Sequence, residues 1–151
     1  MSWKEFAHQA PELASLGFER FNRRIVYLAT IKKDGSPRLH PVTPSIGEGR
    51  LFMFTEPSSP KIRDLRRDPR YAMHCAVGGG APLFEYLISG SAELITDPEL
   101  REKMAAIMNA PVVDESYALF EFQVERVLVV DYDQDKNRLI SRWSRAVSDA
   151  D

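Results

Sequence analysis

Two β-forming runs, IVYLATI (25–31) and RLHPVTP (38–44), flank KKDGSP, where Asp34-Gly35 supplies the positive backbone angle of a tight hairpin. A link this short joins antiparallel strands only, because a parallel pair needs a crossover of roughly a dozen residues or more. The rest of the chain repeats the theme. A turn at GEG leads to RLFMFT (50–55), and RYAMHCAV (70–77) forms a fourth strand. FEYLISGSAELIT (84–96) is long, with Gly90 as its bulge or bend. In ALFEFQVERVLVVDYD (118–133), Phe120, Phe122, Val124 and Leu128 share one face, while Glu121, Gln123 and Glu125 take the wet one. NRLISRW (137–143) closes the series. Six or seven hairpin-linked strands with only three helical regions exclude a parallel sheet wound with helices. The predicted fold is mainly β, a small antiparallel barrel with peripheral helices, which removes most exposed strand edges.

The helical regions have their own signals. Residues 1–23 read as helical, with Pro11 starting the better half and Leu13, Leu16 and Phe21 on its inner face. Asp97-Pro98 opens another helix, whose inward stripe is Leu100, Met104, Ile107 and Met108. GGGAP (78–82) reads as a flexible loop. No repeat or low-complexity linker interrupts the 151 residues, so one domain over 1–151 is expected.

A net charge of −2 argues against general nucleic-acid binding, which needs a basic footprint. No apolar run is long enough for a membrane span, and the first residues lack the pattern of a signal peptide. Cys75, the one cysteine, lies on the apolar face of its strand and is expected buried and inert. The cytoplasm is the expected location.

The most informative stretch is FTEPSSPKIRDLRRDPR (54–70), a strand end, a serine-rich turn and a short basic helix. Ser58 or Ser59 can cap that helix, and Pro60 suits its first position. Alternatively, the amides, the helix dipole, the hydroxyls and Lys61 converge on a phosphate. No dinucleotide loop, Walker motif or zinc-ligand run accompanies it. His8, His40 and His74 are far apart, and no nucleophile stands out beside a base.

The order VYLATIKKDGSPRLHPV, LFMFTEPSSPKIRDLRRDPRYAM, EYLISGSAELITDPE resembles the pyridoxamine 5'-phosphate oxidase-like superfamily, the FMN-binding split-barrel flavoproteins, over residues 24 to 143. The resemblance implies a split barrel and a cofactor phosphate held by Lys61 with Ser59 in support. It sets Phe54 and Thr55 beside the flavin, and Val42 and Thr43 in the strand whose backbone meets the ring edge. His40 stands where the oxidase has a phosphate-holding arginine, which weakens that site or changes its pH dependence.

Other departures bear on the substrate. RLISR keeps Arg138, Leu139 and Arg142 but has Ile140 where the oxidase has a histidine. KMAAIMNAPVVDES (103–116) lacks the arginine that would hold a substrate phosphate, so oxidation of pyridoxamine phosphate itself is not expected.

Three readings stand. The first is an FMN-dependent oxidoreductase acting on a small molecule. The second is a deazaflavin-dependent reductase, with Lys61, Arg63, Arg66, Arg67 and Arg70 on the cofactor's acidic tail, unless Asp64 and Asp68 merely balance a solvated face. The third is a non-catalytic binder of flavin or haem, with His74 or His40 as ligand. The resemblance also implies a homodimer with Lys61 of one chain and Arg142 of the other at each cofactor. Trp143, Phe120 and Phe122 would supply its apolar interface.

Overall fold

The computed structural model describes residues 1–77, 84–109 and 114–146. Two helices lead, α1 (Trp3–Gln9) and α2 (Pro11–Phe21), divided where Pro11 cannot continue the first. Then come β1 (Val26–Ile31), β2 (Pro37–Val42), β3 (Ser45–Gly47), β4 (Arg50–Thr55), α3 (Pro60–Arg67) and β5 (Arg70–Cys75). β6 (Glu85–Ile95), α4 (Pro98–Met108), β7 (Ala118–Tyr132) and β8 (Arg138–Ser144) complete the described chain.

All eight strands form one sheet in the order β2-β1-β5-β6-β7-β4-β3, with β8 also on β7, and every pairing is antiparallel. The expected hairpin is there, with Ile31 opposite Pro37 and Gly35 at φ +85°. β7 makes the split. One edge pairs with β6, while the other serves β4 through Ala118–Glu121 and then β8 through Arg126–Tyr132. The sheet curls around Val26, Leu28, Met53, Tyr71, Met73, Ile88, Phe120 and Phe122, all in one buried cluster. A smaller cluster of Phe52, Met104 and Leu119 lies beneath α4, with Leu100, Ile107 and Met108 packed against it as the stripe required.

Gly90 marks a bulge. Ser89 pairs with Arg126 but Gly90 with Val124, leaving Glu125 as the extra residue. A Cβ on Gly90 would stand 2.0 Å from the Gln123 carbonyl oxygen, so the two backbones approach as only glycine permits.

Several expectations change. The described residues form eight strands because RLHPVTP ends at Val42 and a separate short strand begins at Ser45. Pro44 has no N–H for a ladder, and its carbonyl accepts from Arg23 N instead. The described residues hold four helices because the N-terminal segment is two. Leu16 is exposed, and α2 buries Ala14, Gly17 and Phe21. Glu121 is buried at 3% exposure, because α4 and its cluster cover that face of β7, and it pairs with Arg50. Phe120 and Phe122 are fully used by the chain's own core and are not free for an interface. GGGAP (78–82) lies outside the described residues.

Candidate functional site

β2 and the start of α3 build the site. Along β2 the side chains alternate, so Arg38, His40 and Val42 face inward while Leu39, Pro41 and Pro37 face out. α3 packs over β1, and its spacing of three to four residues brings Lys61 and Asp64 onto the side facing these strands. Lys61 Nζ lies 3.3 Å from His40 Nδ1. Asp64, 3% exposed, accepts from Thr30 Oγ1 at 2.8 Å, Arg38 Nε at 2.6 Å and Arg67 Nη2 at 3.2 Å.

The helix start departs from the capping reading. Ser59 is the N-cap residue, yet its hydroxyl makes no capping bond, and Ser58 turns away to Glu56 at 2.6 Å. Pro60 has no N–H, Ser59 N donates to Glu56 O, and Ile62 N donates to Ser59 O. Lys61 N, at the second helical position, has no acceptor among the described residues. One open amide, one idle hydroxyl and one ammonium therefore meet at this turn. Four residues upstream, Thr55 is buried and its Oγ1 has no hydrogen-bond partner among the described residues. A buried hydroxyl without a partner is costly, so it marks where a polar group is missing.

The charges are unbalanced. Burial, then Lys61 and Arg38, push His40 below its ordinary value against the pull of Asp64. Burial also lowers Lys61, with Glu56 opposing and Arg38 adding to the fall. Burial raises Asp64, but its bonds from Arg38, Thr30 and Arg67 outweigh that and leave it below the usual carboxylate range.

Of the residues named from sequence, His40 and Lys61 are in contact and Ser59 shares the turn of Lys61. Val42 is buried in the core and Thr43 is exposed in the link to β3. Phe54 points to the opposite side of β4 from Thr55, packing with Phe52 and beneath the Arg101 guanidinium at 5.7 Å. Arg142 lies apart, on the exposed β8. Sequence reasoning missed Arg38, Thr30 and the burial of Asp64. The i, i+2 spacing of Arg38 and His40 on one strand was the available signal. Within the basic run, Arg67 is tied to Asp64 and the Ile31 carbonyl, and Arg70 to Asp68. That agrees with the balanced-face reading for these two.

A second feature is the outer face of the sheet. Register places Pro41, Tyr27, His74, Leu87, Leu128 and Arg142 in one row across six strands. Tyr27 is 43% and the nearby Leu39 66% exposed. Toward β8 the row deepens into a groove of about 380 Å³ lined by Leu87, Ser89, Arg126, Leu128, Arg142 and Ser144 among others. His74 Nδ1 meets the Cys75 carbonyl at 2.7 Å. Among the described residues, no cluster of three or more His, Cys, Asp or Glu has metal-binding geometry. No helix of the described residues is long and apolar enough to cross a membrane.

The family model for pyridoxamine 5'-phosphate oxidase matches residues 18–131. No curated protein matches the chain in sequence. Among solved structures it is similar to a haem-binding protein from Mycobacterium smegmatis, at TM-score 0.66 and 18% identity, over 84% of this chain and 55% of that one. The chain thus spans about half the length of that protein. PhzG from Burkholderia lata, in complex with tetrahydrophenazine-1-carboxylic acid, matches at TM-score 0.66 and 15% identity, over 97% and 89% of the two chains. An F420 reductase matches at TM-score 0.56 and 16% identity, over 72% and 91%. At these identities the likenesses establish the fold.

Proposed function

The chain belongs to the pyridoxamine 5'-phosphate oxidase family, whose members bind flavins or a deazaflavin, and from that premise we propose that it is an FMN-binding oxidoreductase acting on a small molecule. The observation that carries this reading is the turn at Ser59–Lys61, where an idle hydroxyl, an open amide and a half-buried ammonium that forms no ion pair among the described residues converge. Lys61 and Ser59 would hold the cofactor phosphate. The unpartnered Thr55 hydroxyl would bond a polar edge of the ring system, and the backbone of Val42 and Thr43 would run beside it. His40 would add a donor at the phosphate.

The flavin, when bound, supplies hydride chemistry that needs no protein acid or base. The chain's share is to hold and orient that group and to keep water from it. Phosphorylated pyridoxamine is not the proposed substrate. Ile140 stands on β8 where a histidine would be needed, and no arginine occurs in residues 103–116 for a second phosphate.

The proposed assembly is a homodimer, the typical state of the family. One chain leaves Tyr27, Leu39 and the Leu128–Arg142 groove on an outer sheet face, which a second copy would cover. Arg142 of the partner would then complete the site built by Lys61.

A second reading is a deazaflavin-dependent reductase. Arg63 and Arg66 are exposed on α3 and make no ion pair among the described residues, so they are available to an acidic cofactor tail. The absorption spectrum of the purified protein, followed by titration with each cofactor, separates these. Bands near about 375 and 450 nm support flavin, one near about 420 nm supports the deazaflavin, and a Soret band would overturn both in favour of haem. A protein that takes none of the three refutes the proposal.

A further inference from the structure

His40 sits among charges that leave it nowhere to put a proton until an anion arrives. From α3, Lys61 Nζ is 3.3 Å from Nδ1. From its own strand, Arg38 adds a second positive charge on the same face. From β1, the opposite residue is apolar Leu28. Of the nearby carboxylates, Asp64 is committed to Thr30, Arg38 and Arg67, while Glu56 accepts from the Ser58 hydroxyl and acts on Lys61. With Lys61 charged, Nδ1 can only accept from its ammonium, so the ligand-free imidazole is neutral with its hydrogen on Nε2.

A phosphate ester at Lys61 inverts each of these conditions. Its oxygens draw the ammonium bonds away from Nδ1, and its negative charge offsets Lys61 and Arg38. The freed nitrogen then gains by becoming a donor, since a charge-assisted bond to phosphate is the stronger one. We propose that binding of a phosphate ester at this site takes up one proton at His40, so that the grip on the ligand tightens as the solution becomes more acidic. This rests on the reading of the Ser59–Lys61 turn as a phosphate site and adds its regulation by pH. A guanidinium at position 40 would carry fixed charge and could not act this way.

The test uses the full chain, with FMN and riboflavin as probes, over about pH 5.5 to 8.5, a range centred on the histidine value. Free FMN loses its second phosphate proton near pH 6, which favours binding on the alkaline side. That contribution is common to every variant, so His40→Arg serves as the reference. Relative to it, wild-type affinity for FMN should fall by up to about tenfold per pH unit between the free and FMN-bound titration midpoints of His40, the slope of one linked proton. Calorimetry in buffers of different ionisation enthalpy should count close to one extra proton taken up by wild type. Riboflavin, lacking the phosphate, should show no such difference. Should His40→Arg fold poorly, proton NMR of His40 in wild type gives the same answer, with its titration midpoint rising on FMN binding. Equal proton uptake in wild type and variant, or an unmoved midpoint, overturns the inference while leaving the flavin reading intact. No FMN binding at any pH overturns both.

Discussion

Asp64→Asn should weaken the fold by about 2 to 3 kcal/mol at neutral pH, and the site geometry sets that figure. Asp64 is 3% exposed and takes three bonds, two from guanidinium groups. Removing one side of a buried ion pair costs about 3 to 5 kcal/mol. Two features reduce the cost here. The Arg38 and Arg67 side chains are 25% and 38% exposed and recover part of their hydration, and asparagine keeps the shape and one acceptor for Thr30. For a chain of this size about 1 kcal/mol moves the melting point by about 2 to 4 °C, so a fall of about 4 to 12 °C is expected. The sign with pH follows from the depressed folded value of Asp64. Its contribution is complete above the unfolded value near 4 and is lost as pH falls through the lower folded value. The gap between wild type and Asp64→Asn should therefore close in acid. Calorimetry and urea unfolding at neutral pH and near pH 3 give both numbers. A gap under about 0.5 kcal/mol at neutral pH, typical of a surface change, would show that Asp64 does not tie α3 to the sheet. A gap of unchanged size in acid would show that charge is not the cause.

Three other outcomes are expected. Lys61→Ala should lower FMN affinity by about tenfold to a hundredfold, the worth of a charge-assisted bond, with little change in melting point or riboflavin binding, and unaltered FMN affinity would remove the phosphate role. Gly90→Ala should cost about 3 kcal/mol in chemical denaturation, since the new methyl would meet the Gln123 carbonyl at 2.0 Å, and full stability would contradict the bulge. Sedimentation should give a mass near twice 17.2 kDa. Tyr27→Asp, on the outer row, should halve that mass and loosen FMN, and a monomer with full flavin affinity would refute the shared site.

What the sequence disclosed was mostly local. Asp34-Gly35 fixes its hairpin with neighbours only, and Pro98 opens α4 by its own geometry. Gly90 was legible as a bulge because a glycine inside a strand has few other uses. The misreadings came from partners distant in the chain. Glu121 alternates as a solvent-facing residue should, yet α4 arrives to cover that face. Glu125 shifts the phase of β7, so Val127 replaces Leu128 as the next buried residue, which no period of two anticipates. At the site, Lys61 was legible in its own serine-proline turn, and His40 was reached through a family resemblance. Arg38 and Asp64 were not, because their roles exist only once α3 lies across β1 and β2.

That missed pair bears on how position 40 can hold a titratable residue at all. If the group that receives a ligand also fastened the helix to the sheet, each change in its charge would loosen the site. Here the fastening is done by Thr30, Arg38, Asp64 and Arg67, none of which depends on the protonation of His40. That frame also holds α3, and with it Lys61, against the strand that carries His40. Both are held where burial and like charge depress their protonation, a strain that the buried network can sustain and that an arriving anion relieves. On this argument Asp64→Asn and His40→Gln should differ in kind. The first should lower melting point and FMN affinity together, whereas the second should lower affinity and its pH dependence at constant melting point above neutrality. Parallel losses in both variants would mean that frame and receptor are one structure.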